Sequence, residues 1–129
     1  MNVDETLIER IRRTLEELLR DARGVINSAA LVSSEGLPIA HILPSDSEPE
    51  AFSAAVMAMI NAIDSSLEML GEKGKKILRV DVMLEGGGHL IAVPMEMGAL
   101  VCQTARNPNL GLVYLVLRKY EERVRDLIR

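Results

Sequence analysis

The sequence predicts an α/β (α+β) layered domain: helix, two strands, helix, three strands, helix, with a five-stranded antiparallel sheet covered by the three helices. Three observations predict it. Apolar residues recur at three- and four-residue spacing in three separate stretches, period-two alternation takes over between them, and short glycine-bearing turns join neighbouring strand-like runs. Turns this short force antiparallel pairing, and amphipathic helices must then bury their apolar stripes on the sheet.

The first helix runs from Asp4 to Arg20, with Leu7, Ile8, Ile11, Leu15, Leu18 and Leu19 on one side. Glu9, Arg10, Arg12, Arg13, Glu16 and Glu17 form its wet face, and Gly24 stands where a helix end is expected. Val25 to Leu43 reads as a hairpin around Ser34-Glu35-Gly36, where glycine supplies the positive φ of a tight turn. Small residues in it (Asn27, Ala29, Ala30) suggest a helix packed closely over the strand. The polar segment Pro44 to Glu50 is a connection, with Asp46 or Ser47 as cap of the next helix and Pro49 in its first turn.

The chain is organised around that next helix, Phe52 to Leu70. Phe52, Val56, Met59, Ile60, Ile63, Leu67 and Leu70 share one face, while Ala54, Ala58, Ala62 and Ser65 make a second stripe of small residues with Met57 beside it. A helix apolar nearly all round is usually buried all round. A 129-residue chain has little material to bury one helix on both sides. A second copy of the same surface is the economical solution, since small residues let two backbones approach closely; the alternative is a small-residue face lying on the protein's own sheet.

After the helix, Gly71 to Lys76 is a glycine- and lysine-rich turn. It lacks the spacing, the Ser/Thr and the strand-then-helix order of a nucleotide-binding loop. Ile77 to Glu85 alternates, with Leu78, Val80, Val82 and Leu84 one way and Arg79, Asp81 and Met83 the other, as suits a sheet edge. Gly86-Gly87-Gly88 leads into His89 to Glu96, apolar on both faces and so interior. Pro94 there calls for a bulge or a strand end, because it cannot donate a ladder hydrogen bond. A turn at Met97-Gly98 opens the last strand. Asn107 to Gly111 is the final break, Asn109 can cap the closing helix, and Val113, Val116, Leu117, Tyr120, Val124, Leu127 and Ile128 make that helix's buried stripe.

Composition narrows the function classes. The chain is 48% hydrophobic and 26% charged, as expected of one globular domain spanning residues 1–129. No uncharged apolar run is long enough to span a membrane, and the charged N-terminus has no signal-like core, so a cytoplasmic location is expected. The single Cys102, among apolar neighbours, fits a reducing compartment and a core-filling role. A net charge of −4, basic residues interleaved with acids, and one Phe, two Tyr and no Trp argue against nucleic acid. His41 and His89 read as solvated or locally hydrogen-bonded, and the carboxylates sit among arginines on helix faces. No nucleophile–base pairing or metal-ligand spacing is visible, so no catalytic residue, metal or cofactor is expected.

The hairpin ALVSSEGLPIA (Ala30 to Ala40), the small-residue central helix, the glycine-turned strand pair and the NPNLGLV segment (Asn107 to Val113), in this order, resemble the roadblock family of dynein light chains and regulators of small Ras-like GTPases. Glu35, where many relatives have aspartate, is a mild departure. The resemblance covers nearly the whole chain and implies a roadblock/profilin-like layered architecture. It also implies a dimer in which central helices lie side by side and the strands after them pair into one continuous sheet. On that basis the dimer interface is expected to draw on Ala54, Met57, Ala58, Asn61 and Ser65 of the helix and on Arg79, Asp81 and Met83 of the strand. The resemblance further implies a non-enzymatic platform for a small Ras-like GTPase or a scaffold protein. A structural subunit or a small-molecule sensor is the alternative. Asp64, Glu68, Lys73 and Lys75, where the central helix meets the lysine-rich turn, are the expected partner contacts.

Overall fold

The computed structural model describes residues 3–128. It contains α1 (Val3–Asp21), β1 (Ile26–Ser33), β2 (Pro38–Ile42), α2 (Pro49–Met69), β3 (Val80–Met83), β4 (His89–Met95), β5 (Gly98–Thr104) and α3 (Leu110–Ile128). The sheet is antiparallel throughout, in the order β2-β1-β5-β4-β3. Element order, sheet type and strand number agree with the sequence reading.

Side-chain alternation divides the core into two layers. Ala29 and Leu31 of β1, Ile91 and Val93 of β4, and Leu100 and Cys102 of β5 point to the side covered by α1 and α3, where they meet Ile11, Leu15, Leu18, Val113, Leu117, Tyr120 and Val124. The intervening residues Ala30, Val32, Ala92, Ala99 and Val101 point to the other side and meet Val56, Met57 and Ile60 of α2. Small residues dominate this second layer. They let α2 sit close, so that Gly36 in the β1–β2 turn lies directly against the backbone of Ala54.

Three details depart from the sequence reading. The cap of α2 is Glu48, which makes no side-chain cap hydrogen bond; neither Asp46 nor Ser47 serves, while Pro49 does occupy the first turn. The buried face of α2 is Ser53, Val56, Met57 and Ile60, rotated from the expected stripe. Met57 therefore belongs to the protomer's own core, and Leu70 is 76% exposed. Ser53 tolerates burial because its hydroxyl donates to the Pro49 carbonyl at 2.7 Å. Finally, β3 is shorter than Ile77–Glu85. It pairs with β4 only from Val80↔Ala92 to Met83↔His89, so Leu78, expected to face the core, is 81% exposed. Continuing the ladder would set Leu78 opposite Pro94, which has no N–H to give. At Pro94 the strand end, of the two expected outcomes, is the one that occurs: no bulge forms, and β4 ends at Met95, in register with β5.

Candidate interaction surface

The outer side of α2 is a strip of small side chains. Ala54, Ala55, Ala58, Asn61, Ala62 and Ser65 are all exposed, since the inward turn of the helix is already used on the sheet. The strip ends in Met69, 86% exposed, and Leu70. Further along the chain lies β3, an edge strand with β4 on one side only; exposed Leu78 and Leu84 flank it and alternate to the same side as Val80, while exposed Met83 alternates to the opposite side with Asp81. Val80 of β3 packs on the α2-side layer, so α2 and the apolar side of the edge strand share one face of the sheet. Exposed small and apolar groups on a helix, and an unpaired strand on the same sheet, are the kind of surface that proteins cover with a partner.

The opposite side of β3 is tied down within the chain. Tyr114 of α3 donates its hydroxyl to Asp81 Oδ2 at 2.7 Å, and His89 Nδ1 lies 2.7 Å from Asp81 Oδ1. The Arg79 guanidinium stacks over the Tyr114 ring, 3.8 Å from its centre. Partial burial pushes the Asp81 carboxyl up, and the bonds from His89 and Tyr114 together with the Arg79 charge outweigh it, leaving Asp81 below its ordinary 3.8. Its bond to Asp81 raises the Tyr114 phenol. A similar tie joins α1 to α3: Tyr120 and Lys119 donate to Asp21 Oδ2 at 2.5 and 2.9 Å and lower its pKa.

These ties set an expected pH response. A carboxylate held below its unfolded value adds stability that is complete above about pH 4 and is lost as pH falls through the lower folded value. Thermal melts at decreasing acid pH should therefore show a steeper loss of Tm in the native chain than in Asp81→Asn, whose amide does not titrate. Equal slopes would assign no part of the acid sensitivity to Asp81.

The expected contact residues fall into three groups. Ala54, Ala58, Asn61 and Ser65 lie together on the outer strip of α2, and Met83, 74% exposed, lies on the edge strand. Arg79 and Asp81 are engaged with α3, and Met57 is engaged with the sheet. Asp64 is exposed; Glu68 pairs with Lys73 at 3.4 Å and Lys75 pairs with Glu72, all on the surface where such pairs add little. Sequence reasoning missed Met69 and Leu70 as surface residues, although their place immediately before Gly71 at a helix end was a signal. It also missed the Asp81–His89–Tyr114 link, for which no local signal exists.

Among the described residues no group of three or more His, Cys, Asp or Glu is arranged to hold a metal ion, and no helix is long and apolar enough to cross a membrane. Burial pushes the Cys102 thiol up to about 12. Native protein should thus resist alkylation by iodoacetamide at neutral pH and react only when unfolded; fast labelling of the folded chain would contradict the burial.

A single five-stranded antiparallel sheet with one helix on one side and two on the other defines the architectural class. The chain belongs to the Roadblock/LC7 domain family, whose sequence model matches residues 12–104. Solved structures of the same fold include MglB from Myxococcus xanthus, at 16% identity and a TM-score of 0.82, covering 94% of this chain and 89% of that one. The gliding protein MglB from Thermus thermophilus is 22% identical with a TM-score of 0.79, covering 94% and 90%. A Roadblock/LC7 domain from Streptomyces avermitilis is 19% identical with a TM-score of 0.78, covering 91% and 96%. No curated protein sequence matches.

Proposed function

We propose that this chain is a non-enzymatic module that pairs with a second copy of itself through α2 and β3, and that the pair binds and regulates a small Ras-like GTPase. The observation that carries this reading is the exposed small-residue strip of α2, which runs out to Met69 and Leu70, together with the unpaired edge strand β3 flanked by exposed Leu78 and Leu84. A second copy would bury both at once: small residues allow two α2 helices to lie close, and two β3 edges supply each other's missing hydrogen bonds. The GTPase rests on membership of the Roadblock/LC7 family and on the likeness to MglB proteins. The polar end of α2, with Asp64 and Glu68, and the lysine turn, with Lys73 and Lys75, are its proposed contacts.

Two measurements test this reading. Light scattering on a sizing column should give twice 14.2 kDa, holding on dilution to low micromolar. Mixing with nucleotide-loaded Ras-like GTPases of the source organism should yield a complex or a changed rate of nucleotide turnover. A stable pair without any such effect would remove the GTPase and leave a scaffold; a monomer would remove the shared surface itself.

A further inference from the structure

The backbone of β3 has a definite phase. Leu84 N donates to the Gly88 carbonyl at 2.8 Å, and the ladder from Val80↔Ala92 to Met83↔His89 runs directly into that bond. Antiparallel ladders alternate bonded and unbonded pairs, so Val80, Val82 and Leu84 direct their backbone groups to β4. Asp81 and Met83, with Arg79 in step just before the strand, turn theirs outward. The His89 N–H agrees with this phase, since it turns away from Met83 and donates to Thr104 Oγ1 on β5 at 3.0 Å. Side chains alternate on the same residues. Val80 packs in the α2-side layer, with Leu78, Val82 and Leu84 in step, whereas Arg79, Asp81 and Met83 stand on the α3 side.

A two-fold axis that puts two α2 helices on one face stands perpendicular to the sheet and makes the two β3 strands antiparallel. Outward backbone groups must then meet outward groups, so the axis passes through a residue position. From Arg79 to Met83 there are few choices. At Arg79, Asp81 or Met83 it sets like charges opposite each other: Arg79 on Arg79, Asp81 on Asp81, or Asp81 on Glu85. At Val82 it sets Arg79 against Glu85, but Glu85 already lies in the turn closed by Gly87 N on the Leu84 carbonyl at 3.0 Å, and Leu78 stays uncovered. At Val80 both faces are satisfied. We propose, resting on the pairing through α2 and β3, that two copies join with Val80 opposite Val80, and that Arg79 and Asp81 select this register. Each Arg79 then stands opposite Asp81 of the second copy, twice about the axis. On the α2 side Leu78, 81% exposed, is covered by Val82 of the second copy; on the α3 side Met83, 74% exposed, is covered by its Ile77. Residues 77–79 are open to this second strand because Pro94 stops the β4 ladder before Leu78.

Tyr114 presents both selecting groups at the edge. Its ring carries the Arg79 guanidinium 3.8 Å from the centre, and its hydroxyl donates to Asp81 Oδ2 at 2.7 Å. Stacking engages only the flat face of the guanidinium, whose N–H groups have no hydrogen-bond partner among the described residues. Each Asp81 oxygen accepts one bond within the chain and has a lone pair for another.

Cysteine cross-linking of the full chain tests the register. Cα atoms across an unbonded antiparallel pair stand about 4.5 Å apart, within the range of a disulfide. Val80→Cys oxidised with copper phenanthroline should therefore run as a covalent dimer on a non-reducing gel. Val82→Cys should not, because in this register the two Val82 positions lie roughly 13 Å apart along the strands. The native chain, whose single Cys102 is buried, is the control and should stay uncrosslinked. Cross-linking at Val82→Cys in place of Val80→Cys, or at neither while light scattering reads twice the chain mass, would overturn the register and leave the pairing standing. A native chain of single mass would overturn both. Arg79→Glu, an exposed change, tests the selection. It should keep the native circular dichroism and raise the dimer Kd by about tenfold or more at low salt, because like charges then face each other at two places. That penalty should shrink as sodium chloride rises from about 0.05 to about 0.5 M. A penalty unchanged by salt would assign the effect to lost stacking on Tyr114, and no penalty would remove Arg79 from the contact; either overturns the charge selection.

Discussion

Gly98→Ala is expected to leave the chain unable to hold its fold. Gly98 opens β5 at φ 155, and a Cβ there would fall inside the Val32 carbonyl of the neighbouring strand. The clash is with backbone of β1, which cannot swing aside: Gly98 is paired with Ser33 of β1 and Met95 of β4, and the adjoining Met97 carbonyl accepts from Ser34 N at 2.7 Å. Relief therefore means pulling β1 from β5 at the centre of the sheet, where Leu31 and Leu100 are fully buried. A cost of about 4 kcal/mol or more follows, against a typical total of about 5–15. Urea unfolding followed by circular dichroism should show the variant unfolded or with its midpoint greatly lowered. Gly111→Ala is the matched control. That glycine lies exposed in the first turn of α3, and a Cβ would meet nothing closer than Asn109 Oδ1 at 3.4 Å. It should stabilise by about 0.5–1 kcal/mol, as alanine does in a helix. Similar midpoints for the two variants would refute the steric account of Gly98.

Met57→Glu and Ala58→Arg, adjacent on one helix, should fail in different ways. Met57 is 9% exposed among Ala30, Val101 and Ile60, so a glutamate there carries an unpaired charge into the sheet layer. Removing the thioether and burying the charge together cost several kcal/mol, and the protomer itself should melt far lower. Ala58 faces outward, and arginine is a good helix former, so Ala58→Arg should keep the protomer's helix content and its own packing. What it should lose is association: light scattering should read one chain in place of two. An Ala58→Arg dimer of undiminished mass would remove α2 from the proposed shared surface, whereas a Met57→Glu variant of native stability would contradict the rotated helix face.

The difference between those two neighbours shows where sequence reading reaches its limit. Period alone marked Phe52 to Leu70 as a helix with a large-residue and a small-residue side, and both sides exist. A helix carries many apolar positions around its circumference, however, and which of them turn inward, Met57 among them, depends on how closely the sheet lets it approach. That approach is decided by Gly36, Ala30 and Ala99 on three other segments. The edge strand behaved likewise: its alternation was legible, but its length was decided across the ladder by Pro94 of another strand.

The sequence by itself determined the element order, the antiparallel sheet, the two-sided core and the family, because periodicity, turn residues and helix ends are local properties written in consecutive residues. Only the tertiary structure decided which surface remains open and which distant side chains meet. Asp81 meets His89 across a hairpin and Tyr114 from 33 residues away, while Ser28 meets Gln103 from 75 away. Such meetings depend on strand register and on which helix covers which face, and hydrogen-bond partners chosen at that range leave no mark in the spacing of residues along the chain.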